Sequence, residues 1–92
     1  MGDKNAQLHK EECRRLVMGY LAARQVLAFR VEAIRRGLVR EEAAEFTDAE
    51  IVSALEFLKG LGFADSAPDA LGSTLSWQAT SAGVLAHERG QA

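Results

Sequence analysis

Residues 47–63 read Thr47-Asp48-Ala49-Glu50-Ile51-Val52-Ser53-Ala54-Leu55-Glu56-Phe57-Leu58-Lys59-Gly60-Leu61-Gly62-Phe63. Thr47 with Glu50 three positions on is a capping box, in which each side chain satisfies a backbone N–H that the first helical turn leaves without a partner. Phe46, just before the cap, is placed to pack on Ile51 as a hydrophobic staple. Ile51, Ala54, Leu55 and Leu58 then recur at helical spacing and form one apolar stripe. The pattern predicts a helix over residues 48–59, closed by Gly60, with Gly62 following. With that stripe buried, the outward face presents Asp48, Ala49, Val52, Ser53, Glu56 and Lys59.

Downstream the period changes. Residues 61–64 lead into a strand, residues 66–73 carry the turn chemistry of Pro68, Asp69 and Gly72, and residues 74–79 alternate polar and apolar around Trp77. The two runs predict a hairpin with a flexible tip. Thr80 or Ser81 then caps a short last helix over residues 82–89, and residues 90–92 fray. Upstream, residues 10–24 read as a helix whose stripe is Leu16, Val17, Tyr20 and Leu21, with Cys13 at its edge. Gly19 weakens that helix by about 1 kcal/mol relative to alanine, which points to close packing against a neighbour. Residues 25–29 suit a turn and a stub of strand. Leu27, Val31, Ile34 and Leu38 then mark a second helix, ended by Gly37 in a left-handed conformation with Arg35 and Arg36 at the negative end of its dipole. No proline or glycine separates this helix from the first, so one continuous helix is the alternative. Residues 41–46 form an acidic, alanine-rich connector.

The chain has 92 residues, 48% hydrophobic and 26% charged. That suits a single small domain, with its core over about residues 10–89. The expected class is α+β, mostly α: a three-helix core, a two-stranded hairpin and a closing helix. A single cysteine excludes a disulfide framework and a zinc-type cysteine set. No apolar run approaches the roughly 18–20 residues of a membrane span, and Met1-Gly2-Asp3-Lys4-Asn5 lacks an apolar secretory core. A reducing cytoplasm is the expected location. The net charge is −2, but it is unevenly spread. Residues 8–40 hold eight bases and three acids, +5; residues 41–92 hold two bases and nine acids, −7. The asymmetry admits three readings: two faces that neutralise each other in the fold, an acidic partner on one side, or self-association.

The order helix, short connector, helix, helix, hairpin, helix resembles the winged helix-turn-helix proteins. Residues 47–63 look like that family's third helix and its turn into the wing. Leu75-Ser76-Trp77-Gln78-Ala79-Thr80-Ser81-Ala82-Gly83 looks like the second wing strand followed by "threonine, two residues, glycine". In that motif the threonine caps the closing helix and the glycine permits close packing. The texture is similar to a group of small winged-helix proteins of Mu-like phages and prophages, some of them described as resembling ArsR-type regulators. The resemblance covers about residues 10–89. It implies a DNA-binding, transcription-regulator-like protein, with the third helix in the major groove and the wing tip on a phosphate or the minor groove.

The charges oppose that docking. The third helix offers Asp48 and Glu56 against Lys59, with Glu50 nearby. The wing offers Asp65 and Asp69 and no cation, whereas groove recognition needs Arg, Lys, Asn or Gln. DNA-contact candidates are therefore Arg30, Arg35, Arg36 and Arg40 on and after the second helix, with Ser53 and Lys59 on the third. The competing reading pairs those arginines with Glu41, Glu42 and Glu45. The alternative function is a protein–protein interaction module that keeps the scaffold without presenting its acidic third helix to DNA. Met18, Tyr20 and Trp77 are candidate interface anchors for a homodimer, with core packing favoured for Trp77. His9 and Cys13, four apart on a helix, have the spacing of two metal ligands, and only His87 would add a third. A buried thiol and an exposed histidine are the better reading, and no metal site or cofactor is expected. No phosphate loop, nucleophile elbow or oriented nucleophile–base pair is present, so no catalytic residue and no enzymatic activity are expected.

Overall fold

In a computed structural model, which describes residues 2–91, the apolar stripes of three helices meet in one core. Val17, Met18 and Leu21 of α1 (Gly2–Ala22) face Ile34 and Leu38 of α2 (Val31–Glu42) and Ile51, Leu55 and Leu58 of α3 (Asp48–Gly60). An antiparallel hairpin follows, β1 (Ala64–Pro68) and β2 (Leu75–Ala79), and then α4 (Ser81–Glu88). The architecture is α+β and mostly helical: four helices and a two-stranded hairpin among the described residues. No described helix is long and apolar enough to cross a membrane.

The capping box forms as the residues dictate. Thr47 Oγ1 accepts the Glu50 N–H at 3.1 Å, and Glu50 Oε1 accepts the Thr47 N–H at 2.8 Å. α3 runs through Gly60; the left-handed residue that ends it is Gly62, φ +82°, and the Phe63 N–H bonds back to the Leu58 carbonyl at 2.9 Å. That closure holds residues 61–63 in a turn, so β1 starts only at Ala64. Phe46 is buried in the common core, and its ring lies 5.1 Å from that of His9.

The start of α4 is fastened to this turn. Thr80 Oγ1 donates to the Gly62 carbonyl at 2.6 Å and accepts the Gly83 N–H at 3.0 Å. Gly83 is there because nothing larger fits: a Cβ would stand 2.0 Å from the Phe63 carbonyl oxygen. Gly19 faces α4 as its position suggested, since a Cβ there would meet His87 Cε1 at 3.2 Å.

β2 is paired on both sides. β1 runs along one edge, with Ser66 opposite Trp77, and Phe29 exchanges two 2.8 Å backbone hydrogen bonds with Trp77 on the other. The stub of strand expected within residues 25–29 is thus one residue, Phe29. Because Trp77 spends its backbone groups on Phe29, the N–H of Ser66 and the C=O groups of Ser66 and Pro68 point away from β2 along the free edge of β1. Ser66 donates its N–H to the Asp65 carboxylate at 2.9 Å and Pro68 has none, so that edge is poorly suited to adding a strand.

Several expectations are corrected. α1 begins at Gly2 rather than Lys10 and ends at Ala22, so the N-terminal residues from Gly2 are helical rather than frayed. Leu27 lies outside α2 and is exposed. Gly37 does not end α2. It sits buried in mid-helix, where a Cβ would be 2.2 Å from Tyr20 Cε2, and the helix runs on to Glu42 into the connector. The left-handed residue is Ala43, φ 51°. α4 begins at Ser81, and Gln91 is tied by its N–H to the Ala86 carbonyl at 2.8 Å. Met1 and Ala92 lie outside the described residues.

Candidate functional site

The outward face of α3 carries Asp48, Ala49, Ser53, Glu56 and Lys59, all exposed, with Val52 half-buried. Phe57, 42% exposed, joins them. Phe57 falls beside, not within, the row set by Ile51, Leu55 and Leu58, so the apolar stripe does not announce it. Its ring is covered by Arg14 of α1, whose guanidinium carbon stands 3.6 Å from the ring centroid. Such a pair covers an exposed aromatic ring with a charged group. Lys59, the only cation on the helix, donates to Ser66 Oγ at 2.8 Å and so leans on β1.

The α2 arginines are mostly paired within the chain. Arg35 Nε donates to Asp48 Oδ1 at 2.6 Å, tying α2 to the first turn of α3. Arg30 donates to Asp69 Oδ2 at 2.8 Å, bringing to the hairpin tip the cation its own residues lack. Arg40 stands 3.8 Å from Glu41, which also pairs with Arg24. Arg36 has no carboxylate partner among the described residues; its Nε donates to the Glu32 carbonyl. The expected acidic partners were Glu41, Glu42 and Glu45. Among the described residues only Glu41 of these is used, while Asp48 at the start of α3 takes Arg35 and Asp69 at the hairpin tip takes Arg30.

Asp69 organises the hairpin tip. Its Oδ1 accepts the N–H groups of Leu71 and Ser73, both at 3.1 Å. Desolvation pushes its carboxyl up, but those N–H bonds and the Arg30 charge outweigh it and hold the pKa below the ordinary carboxylate range. Glu50 is also held low, chiefly by the Thr47 N–H, with desolvation opposing it next in size and His9 adding to the depression.

The metal-spaced pair is occupied otherwise. His9 Nε2 meets Glu50 Oε2 at 2.6 Å, Cys13 Sγ lies 3.7 Å from the Glu50 carbonyl, and His87 stands against Gly19. Burial, reinforced by the Glu50 charge and opposed by Arg14, pushes the Cys13 thiol up to about 11. A thiol so protonated is a poor nucleophile and a poor metal ligand.

The interface candidates are corrected. Met18 is 0% exposed, Tyr20 7% and Trp77 3%, so all three are interior to the single chain and unavailable as anchors. Tyr20 packs edge-on to Phe29, with centroids 5.3 Å apart, and covers Gly37; Trp77 is inward on β2. Tyr20 follows the apolar stripe of α1 and Trp77 the inward alternation of β2, while Phe29 closes the far side of β2. Of the six DNA-contact candidates, the structure gathers Arg30, Arg35, Arg36 and Arg40 on α2 and at its start, and leaves Ser53 and Lys59 on α3. No family model, curated protein or solved structure matches this chain.

Proposed function

We propose that the chain is a non-enzymatic winged helix-turn-helix recognition module whose third helix meets protein rather than DNA. Support for the scaffold comes from the element order and from β2 lying between β1 and Phe29. The observation that carries the choice of partner is the charge of the outward α3 face: the helix brings Asp48 and Glu56 against a single Lys59, which leans away onto Ser66, and among the described residues only Asp48 is offset by an arginine, Arg35 of α2. A helix entering the major groove would bring those carboxylates to the phosphates, where every charge-assisted contact needs the opposite sign.

DNA binding by a transcription-regulator-like protein is the second reading. It is favoured by one feature, the arginines of α2. Among the described residues Arg36 has no carboxylate partner, and pairs with a half-exposed arginine such as Arg30–Asp69 contribute only about 0–1 kcal/mol, so phosphate oxygens can replace the carboxylates. DNA would then lie along α2 instead of α3. Titrating a labelled random-sequence duplex by fluorescence anisotropy at two salt concentrations decides between the two. No binding at low salt is the expected result, because the non-specific component is strongest there. Binding that falls steeply with salt and is lost on charge reversal of Arg36 and Arg40 establishes the DNA reading and defeats the first.

A further inference from the structure

Resting on the reading that the α3 face meets protein, we propose that the partner is a second copy of this chain, docked across the groove between α1 and α3. The groove encloses about 310 Å³ and is walled by Ala6, Lys10 and Arg14 on one side and Ala49 and Ser53 on the other, over the Cys13 floor. Between the longer His9, Lys10, Arg14 and Glu50, small side chains leave its centre open to another chain. Beyond the groove, towards the end of α3, the Arg14 guanidinium lies over the partly exposed Phe57 ring.

The charges around the groove identify the occupant. Glu50, its one acid, is already taken by His9 and the Thr47 N–H. Lys10 and Arg14 have no ion pair among the described residues, nor do the exposed carboxylates Glu45 and Glu56. Glu45 precedes Phe46, whose ring packs on His9 of the groove wall, and Glu56 follows Ser53 by one turn of α3, so unpaired positive and negative groups flank the groove. A two-fold interface requires a self-complementary patch, in which residue i of one copy meets j of the other and j meets i. Lys10 and Arg14 against the partner's Glu45 and Glu56 meets that requirement. The free edge of β1, the other backbone surface open to self-association, is blunted by Pro68 and Asp65.

The test is sedimentation velocity over a concentration series at low and high salt. A dimer that weakens at least about ten-fold in affinity at high salt is expected. Lys10→Glu with Arg14→Glu, and separately Glu45→Lys with Glu56→Lys, should each give monomers, and mixing the two variants should restore a dimer. Ser53→Trp, at an exposed position that leaves the core alone, should block the groove by bulk and serves if a charge variant fails to fold by circular dichroism. A chain that is monomeric throughout, or a dimer that survives both double reversals and Ser53→Trp, overturns the proposal. The duplex titration reads the underlying protein-contact reading separately: a monomer that also ignores DNA sinks the dimer alone.

Discussion

α2 and α3 are neighbours of 12 and 13 residues that come into being in opposite ways. α3 carries its own start: the capping box satisfies the first N–H groups from within five residues, and its apolar stripe is unbroken. α2 has Arg30 at its N-cap with no side-chain capping bond, a glycine in its middle and an alanine in the left-handed position at its end. It is held by what surrounds it: Tyr20 against Gly37, Phe29 bridged to Trp77 just before it, and Ile34 and Leu38 in the core. One helix is specified locally and the other by its neighbours. Substitutions should therefore follow opposite rules in the two.

Glycine positions break the comparison hardest. By propensity, alanine in mid-helix is favoured over glycine by about 1 kcal/mol. Gly37→Ala should nevertheless destabilise by about 1–3 kcal/mol, because the new methyl overlaps the Tyr20 ring and must displace a buried aromatic. Gly83→Ala should cost at least as much, since its obstacle is the Phe63 backbone, which cannot swing aside. Gly60→Ala on α3, with nothing within 4 Å, should instead stabilise by up to about 1 kcal/mol. Urea denaturation of the three variants reads all of these signs. A stabilised Gly37→Ala would mean that Tyr20 does not pack on α2.

The same contrast explains what the sequence disclosed. α3, the hairpin turn and the Thr80 cap are each encoded within a few residues, by hydroxyls, carboxylates and glycines whose partners lie close along the chain. The end of α2 was misplaced at Gly37 because a glycine in a helix has two uses, freedom of φ and absence of a Cβ, and only tertiary contact shows which applies. Here the glycine sits where space is short and Ala43 sits where φ is positive. In the candidate site, the acidic character of α3 was legible. The Arg30–Asp69 pair, 39 positions apart, and the Arg14–Phe57 stack were not, since no local pattern announces a contact between distant elements.

Thr47 sharpens the comparison from the other helix. Thr47→Ala should cost about 1 kcal/mol, removing the Oγ1 acceptor of the Glu50 N–H while the backbone N–H that the Glu50 carboxylate accepts remains. Glu50, held below the ordinary carboxylate range, gives the cap a pH signature. A depressed pKa means that the stabilisation is present above the unfolded-state pKa and is lost as pH falls through the folded one. Glu50→Gln should therefore flatten thermal stability against pH in the acid range below about 5. An unchanged slope would show that the box forms without electrostatic consequence. No substitution at the start of α2 has a cap to lose. Its end has a strain to relieve: Ala43→Gly should stabilise by about 0.5–1 kcal/mol in the same denaturation assay, because glycine tolerates φ 51° without the Cβ clash.

The arginine pairs are the smallest and least local of these effects. Arg35–Asp48 joins α2 to α3 and Arg30–Asp69 joins the start of α2 to the hairpin, so each borrows order from the locally specified element. Both arginines are about half exposed, and each pair should contribute about 0–1 kcal/mol, declining with salt. Single replacements separate unequally. Asp69→Asn also disturbs the bonds to Leu71 and Ser73, whereas Arg30→Ala loses only the pair, so Asp69→Asn should cost more than Arg30→Ala. A double-mutant cycle on Arg30 and Asp69 at two salt concentrations isolates the pair from the turn. A coupling well above about 1 kcal/mol would make Arg30 a structural clamp on the hairpin and remove it from the residues able to exchange a carboxylate for a phosphate. A coupling near zero leaves that exchange open and ties the DNA reading to α2 alone.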